Sequence, residues 1–221
     1  MTHDEILKAL YDETMVGNGP AVIELTRKGL DDGLTPSQLL FDALIPSLEE
    51  VGARFERGDF FVPEMLIAGR AMSGALEVLR PLLAETGAET VGTFLMGTVK
   101  GDVHDIGKNL VNIMLEGAGF QVIDIGVQAA PEKFIAGIEE HKPDIVGMSA
   151  FLTTTMPMFK ANINALEKAG LRDQVIVMVG GAPVTQEYAD AVGADGYAAD
   201  ASTAVRRAKD LIQRKRAAVL A

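Results

Sequence analysis

The residues best equipped for chemistry in this 221-residue chain lie in one stretch, GTVKGDVHDIGKN, residues 97 to 109. Asp102, His104 and Asp105 stand there among glycines, where an apolar run gives way to helical spacing. The chain holds three histidines and no cysteine, which excludes disulfides, thiolate metal sites, iron–sulfur clusters and thiol nucleophiles. A loop histidine taken alone reads as a group that caps the following helix. A carboxylate two residues earlier gives it a second reading, because Asp102 can accept the Nδ1–H of His104 and leave Nε2 facing outward. That is how imidazoles are oriented when they bind metals or catalyse. His3 and His141 lie in polar helical segments, so no neighbour completes a zinc site. A single protein ligand suits a metal already held by its own macrocycle.

Two further segments carry unusual residues. Ser149-Ala150-Phe151-Leu152-Thr153-Thr154-Thr155 follows one apolar run and Gly180-Gly181 follows another. Ser149 can end a strand, and Thr155 can cap a helix beginning at Met156-Pro157. The glycine pair can form a tight turn, or it can let a bulky ligand approach the backbone closely. Together the segments could line a slot.

The elements that must position these loops differ between the two parts of the chain. Residues 1–88 show helical spacing throughout. Thr2 and Glu5 form a capping box, Pro20 opens a segment ending at Gly33, and Thr35-Pro36 starts a run to about Gly58 with a kink expected at Pro46. A last helix runs from about Pro63 to Gly87. This predicts a four-helix bundle. From residue 89 onward, short apolar runs alternate with helical segments. Strands are expected at 91–96, 121–125, 144–148, 174–179 and near Gly196-Tyr197. Strands alternating with helices imply a parallel α/β sheet, flavodoxin-like (Rossmann-like) and five-stranded, with order 2-1-3-4-5. In such a sheet the ends of strands 1, 3 and 4 are neighbours, so the three unusual loops converge at the edge where ligands bind. Residues 84–90, AETGAET, are the expected link and hinge between a 1–88 domain and an 89–221 domain.

Composition narrows the partners. Residues 1–88 hold 7 Lys and Arg against 15 Asp and Glu, within a chain of net charge −11. That argues against a nucleic-acid partner. The apolar runs fall short of the roughly 20 residues of a membrane helix, and MTHDEILKAL lacks the pattern of a secretion signal. A cytoplasmic protein without a membrane partner is expected.

The motif residues also carry a resemblance. Asp102-x-His104-x-x-Gly107, then 41 residues, Ser149-x-Phe151, then 28 residues, and Gly180-Gly181 resembles the D-x-H-x-x-G, S-x-L, G-G signature of the cobalamin-binding domain. That domain is shared by cobalamin-dependent methionine synthase, methylmalonyl-CoA mutase and the corrinoid methyl-carrier proteins. Phe151 departs from the pattern, standing where the family has leucine, with Leu152 next. TVKGDVHDIGKN and the LTTT of residues 152–155 look most like the stand-alone corrinoid carriers of methylotrophic methanogens and acetogens. Those carriers also begin with four helices, so the resemblance spans the chain.

The resemblance implies cobalamin bound base-off, its dimethylbenzimidazole tail threaded into the α/β domain where Ser149, Gly180 and Gly181 make room. It makes His104 the lower axial cobalt ligand, with Asp102 holding Nδ1–H and Ser149 extending a proton relay. Gly101, Asp105, Ile106, Gly107, Leu152, Thr153 and Tyr197 would line the cofactor. The helical domain would cap the corrin, with Phe61, Met65 and Met72 of FFVPEMLIAGRAM, residues 60–72, over the methyl group, although Met and Phe at helical spacing equally make plain core. The implied function is a shuttle, not catalytic alone. It would take a methyl group from a donor-specific methyltransferase and pass it to an acceptor methyltransferase using tetrahydrofolate or a thiol, with a reductive activator restoring the cobalt. Methanol, methylamine, quaternary amine and aryl methyl ether donors all remain open. Two alternatives share the α/β domain. A cobalamin-dependent regulator or photoreceptor normally has a basic DNA-binding front domain, whereas the small subunit of an adenosylcobalamin mutase generally lacks a helical cap.

Overall fold

The computed structural model describes residues 1–86 and 90–219. They divide into two compact units, residues 1–86 and 90 with 116–119, and residues 91–115 with 120–219. The expected link at 84–90 lies partly outside the described residues, since 87–89 are not among them.

The first unit is built from helices whose ends are set by local hydrogen bonds. Helix α1 (His3–Met15) begins with the expected capping box: Thr2 Oγ1 accepts from Glu5 N at 3.3 Å, and the Glu5 carboxylate accepts from Thr2 N at 2.8 Å. Helix α2 (Gly19–Asp31) carries Pro20 in its first turn. The next expected helix is interrupted. Helix α3 (Pro36–Leu39) passes through a π-turn at Leu40–Leu44 into α4 (Ile45–Glu56). Proline has no N–H to continue the helical ladder, and the wider turn just before Pro46 absorbs the mismatch, with Ile45 N bonded to Leu40 O. Helix α5 (Val62–Thr86) buries Met65, Ala68, Met72, Ala75 and Leu79 along one stripe.

The second unit is a five-stranded, all-parallel sheet of order β2-β1-β3-β4-β5, as the sequence predicts. Its strands are β1 (Gly92–Thr98), β2 (Phe120–Asp124), β3 (Ile145–Ser149), β4 (Ile176–Gly180) and β5 (Gly196–Ala198). Helices α6 (Ile106–Gly117), α7 (Pro131–His141), α8 (Pro157–Lys168), α9 (Gln186–Val192) and α10 (Ala201–Val219) make the crossovers and close the chain. Leu95, Val146, Met148, Val177 and Val179 point to one face and pack on Phe134 and Ile138 of α7, Phe159 and Ile163 of α8, and Val192 of α9. Full burial of each such side chain contributes about 1.5–3 kcal/mol. On the other face Ile212 of α10 lies over Gly92, and Leu211 over Gly196. Among the described residues no helix is long and apolar enough to cross a membrane.

Candidate functional site

Parallel pairing brings three strand ends together. Thr98 of β1 pairs with Ser149 of β3, and Ser149 with Gly180 of β4. The pairing continues into the loops, as Val99 N donates to Ser149 O at 3.0 Å and Ala150 N to Gly180 O at 3.2 Å. The β1–α6 loop is then fixed from its own side. Asp102 N donates to Val99 O at 3.1 Å, the buried Thr98 hydroxyl to His104 O at 3.0 Å, and Gln128 N to Asp102 O at 3.1 Å.

At the centre is the carboxylate of Asp102, which is wholly buried. Oδ1 accepts from His104 N at 3.0 Å and from His104 Nδ1 at 2.7 Å. Oδ2 accepts from Phe151 N at 2.7 Å, Leu152 N at 3.1 Å and Thr155 Oγ1 at 2.8 Å. Burial on its own pushes the carboxyl pKa up, but the donors from His104, Phe151 and Leu152 outweigh it and hold the pKa well below the ordinary aspartate value. An ionised carboxylate only accepts, so the shared proton sits on Nδ1, and a neutral imidazole keeps its lone pair on Nε2. Among the described residues nothing hydrogen-bonds to that nitrogen, and the His104 side chain is 45% exposed.

The surroundings of His104 are apolar. The Phe151 ring stacks on the imidazole, centroids 4.4 Å apart and planes inclined by 26°. Val103 and Leu152 on the same two loops, and Ile106 at the start of α6, leave large apolar side chains exposed. Among the described residues no group of three potential metal-binding side chains occurs. His104 can therefore serve a metal as a single nitrogen donor, with a greasy surface beside it.

The sequence-predicted residues divide by what the structure does with them. Asp102 and His104 make the expected pair. Gly101, with φ +85°, turns the chain into it. Asp105 and Ile106 lead into α6, and Gly107 has no atom within 4 Å of the place a Cβ would take. Leu152 and Thr153 are exposed on the β3–α8 loop. Among the described residues no hydrogen bond joins Ser149 to Asp102: the hydroxyl on Asp102 belongs to Thr155, six residues further on, because the loop folds back and Thr155 N bonds to Leu152 O at 3.0 Å. For the same reason Thr155 does not cap α8, whose first turn has no side-chain cap. Gly181 is also accounted for by the chain itself. Its φ is +129°, and a Cβ there would lie 1.9 Å from Ala150 O, so the space belongs to the neighbouring loop. At Gly180 a Cβ would meet Ala198 O at 3.1 Å. Tyr197 packs half-buried against the α7–α9 side of the sheet. Met65 and Met72 are fully buried in the α5 stripe, and the exposed apolar side chains of that region are Phe61 and Ile67.

Sequence reasoning missed Lys108. It is only 3% exposed and ion-pairs with Asp124 at the end of β2. Asn112 Nδ2 and Gly126 N also donate to Asp124, at 3.0 and 2.7 Å, so the start of α6 is tied to the β2–α7 loop. The available signal was its position: Lys108 shares an i, i+7 stripe with buried Leu115.

Comparisons with known proteins cover both units. Residues 92–206 match the model of a B12 binding domain, and residues 6–80 match a second model of the same description. The chain is 41% identical over 213 residues to dimethylamine corrinoid protein 1 of Methanosarcina acetivorans, covering 96% of this chain and 100% of that protein. It is 42% identical over 188 residues to trimethylamine corrinoid protein 2 of Methanosarcina mazei, covering 84% and 86%. Among solved structures it is similar to a chain of the methanol:cobalamin methyltransferase complex of Methanosarcina barkeri, with TM-score 0.83 and 29% identity over 95% of this chain and 80% of that one. It is also similar to a cobalamin-binding protein of Desulfitobacterium hafniense, with TM-score 0.67 and 28% identity over 97% and 98%.

Proposed function

This chain belongs to the family of B12-binding corrinoid proteins, and we propose that within it the chain is a methyl carrier whose His104 holds the cobalt of a base-off cobalamin. The observation that carries this reading is the imidazole itself: half-exposed, its Nδ1–H fixed to a buried, ionised Asp102, its Nε2 free beside Phe151, Val103, Ile106 and Leu152. The fit lies in the donor set. A corrinoid would bring cobalt already held by its own macrocycle; His104 would supply it with a single nitrogen, and Phe151, Val103, Ile106 and Leu152 would give it an apolar seat. When bound, the corrinoid supplies a cobalt ion that accepts a methyl group and gives it up again.

The protein's own residues do the rest. Asp102 keeps the proton on Nδ1 and leaves Nε2 as the donor nitrogen. Thr155, whose hydroxyl reaches both Asp102 Oδ2 and Leu152 O at 2.8 Å, ties the carboxylate to the β3–α8 loop. Gly107 leaves the entry to α6 open to a bulky neighbour. The names of the relatives support a methylamine as donor, and the solved methyltransferase complex supports a separate methyltransferase as partner; an acceptor transferase and a reductive activator complete the proposed cycle.

Methyl-transfer reconstitution tests this. Cobalamin-loaded chain with a reductant should take up a stoichiometric methyl group from a methylated amine only when a methylamine:corrinoid methyltransferase is added. It should release that group only to an acceptor transferase. Turnover of methylamine by this chain alone would overturn the carrier reading.

A further inference from the structure

We propose that Phe151 is a positioning residue that fixes the plane of the His104 imidazole, and so the direction in which Nε2 can bind a metal. The inference rests on the corrinoid reading above. It starts from a large apolar side chain on the β3–α8 loop, Phe151. Core packing does not explain that side chain, which is 52% exposed. It lies flat on the imidazole, with centroids 4.4 Å apart and an inclination of 26°.

One carboxylate sets both halves of the stack. Asp102 Oδ1 holds the imidazole by Nδ1 at 2.7 Å, and Oδ2 holds the backbone of Phe151 by its N–H at 2.7 Å. The hydrogen bond to Nδ1 fixes the tautomer and one point of the ring. It leaves the broad torsion about Cβ–Cγ only partly restrained. A ring pressed against the imidazole face confines that remaining rotation, which a leucine, lacking a flat face, does not. Because a metal bonded to Nε2 lies in the imidazole plane, confining the plane aims the bond. The backbone bonds from Phe151 and Leu152 to Asp102 do not depend on the side chain at 151. The orienting effect and the loop's integrity can therefore be separated.

The test compares wild type with Phe151→Leu and the rescue variant Phe151→Tyr. In the apo-protein, NMR of the His104 ring protons should show upfield ring-current shifts in wild type and Phe151→Tyr that are lost in Phe151→Leu. After loading with cob(II)alamin, electron paramagnetic resonance should show the ratio of histidine-coupled to uncoupled cobalt falling about two- to tenfold in Phe151→Leu, the range an aromatic pair contributes. The Co(II)/Co(I) midpoint potential should move positive with it, since a weaker axial donor stabilises Co(II) less, and Phe151→Tyr should restore both. A change carried by leucine and undone by tyrosine is not a folding effect. If Phe151→Leu matches wild type in ring shifts, coupling and potential, the proposal is wrong while the corrinoid reading stands. If wild type itself shows no histidine nitrogen on cobalt, the ligation reading falls, and the aiming role with it.

Discussion

A carboxylate that accepts hydrogen bonds from His104 N, His104 Nδ1, Phe151 N, Leu152 N and Thr155 Oγ1 is held in its ionised form. Asp102→Asn replaces one accepting oxygen by an amide that faces donors, and it should destabilise the protein by about 2–3 kcal/mol, the value of bonds to a charged group. The pH dependence follows from the lowered pKa. The folded value lies below the unfolded value near 4, so the stabilisation is full above about pH 4 and is lost as pH falls toward the folded value. In urea unfolding, the gap between wild type and Asp102→Asn should be constant around pH 7 and narrow steadily below about pH 4. A gap unchanged down to about pH 3 would show that the charge is not what the donors stabilise. At this scale the Asp102–His104 pair was legible, because two residues apart on an irregular loop is a local relation. Thr155 was not: its place on Asp102 depends on a chain reversal between Ala150 and Thr155, and a run of threonines gives no sign of one. Ser149 sat nearer in the sequence, but its place in β3 pairs it with Thr98 and Gly180 instead.

At the scale of elements, the crossover rule made the sheet legible, since strands separated by helices must be parallel and the order 2-1-3-4-5 sets β1, β3 and β4 side by side. Strand ends shifted by one or two residues because they are set by the ladder, which runs to Thr98, Ser149 and Gly180. The π-turn at Leu40–Leu44 was legible only as a proline kink, since the sequence shows a missing N–H but not how the helix redistributes its bonds. Buried methionines in α5 could not be told from a ligand cover, because helical spacing marks an apolar face without saying what packs on it. Two glycines now separate packing from access. Gly181→Ala forces a Cβ against Ala150 O at a φ of +129° and should cost about 2 kcal/mol or more, lowering the melting temperature with or without cobalamin. Gly107→Ala meets nothing within 4 Å and sits in a helix, so it should leave apo stability unchanged or slightly raised while weakening cobalamin affinity. Thermal melts and cobalamin titration of both variants check this. Equal affinity in Gly107→Ala and wild type would remove Gly107 from the cofactor's surroundings.

For the whole molecule, two compact units and an acidic first segment, 7 basic against 15 acidic residues in positions 1–88, suit a protein that meets other proteins rather than nucleic acid. On the proposed reading the chain has one chemical centre, and donor and acceptor chemistry belongs to its partners. The central point is therefore whether this chain or the cofactor's own base holds the metal. Electron paramagnetic resonance of the cob(II)alamin-loaded protein, prepared with ordinary and with ¹⁵N-labelled histidine, decides between them. If His104 is the axial ligand, the triplet splitting from one ¹⁴N becomes a doublet on labelling, and His104→Ala abolishes it. A triplet that survives both labelling and His104→Ala would place the cofactor's own nitrogen on cobalt and contradict the account.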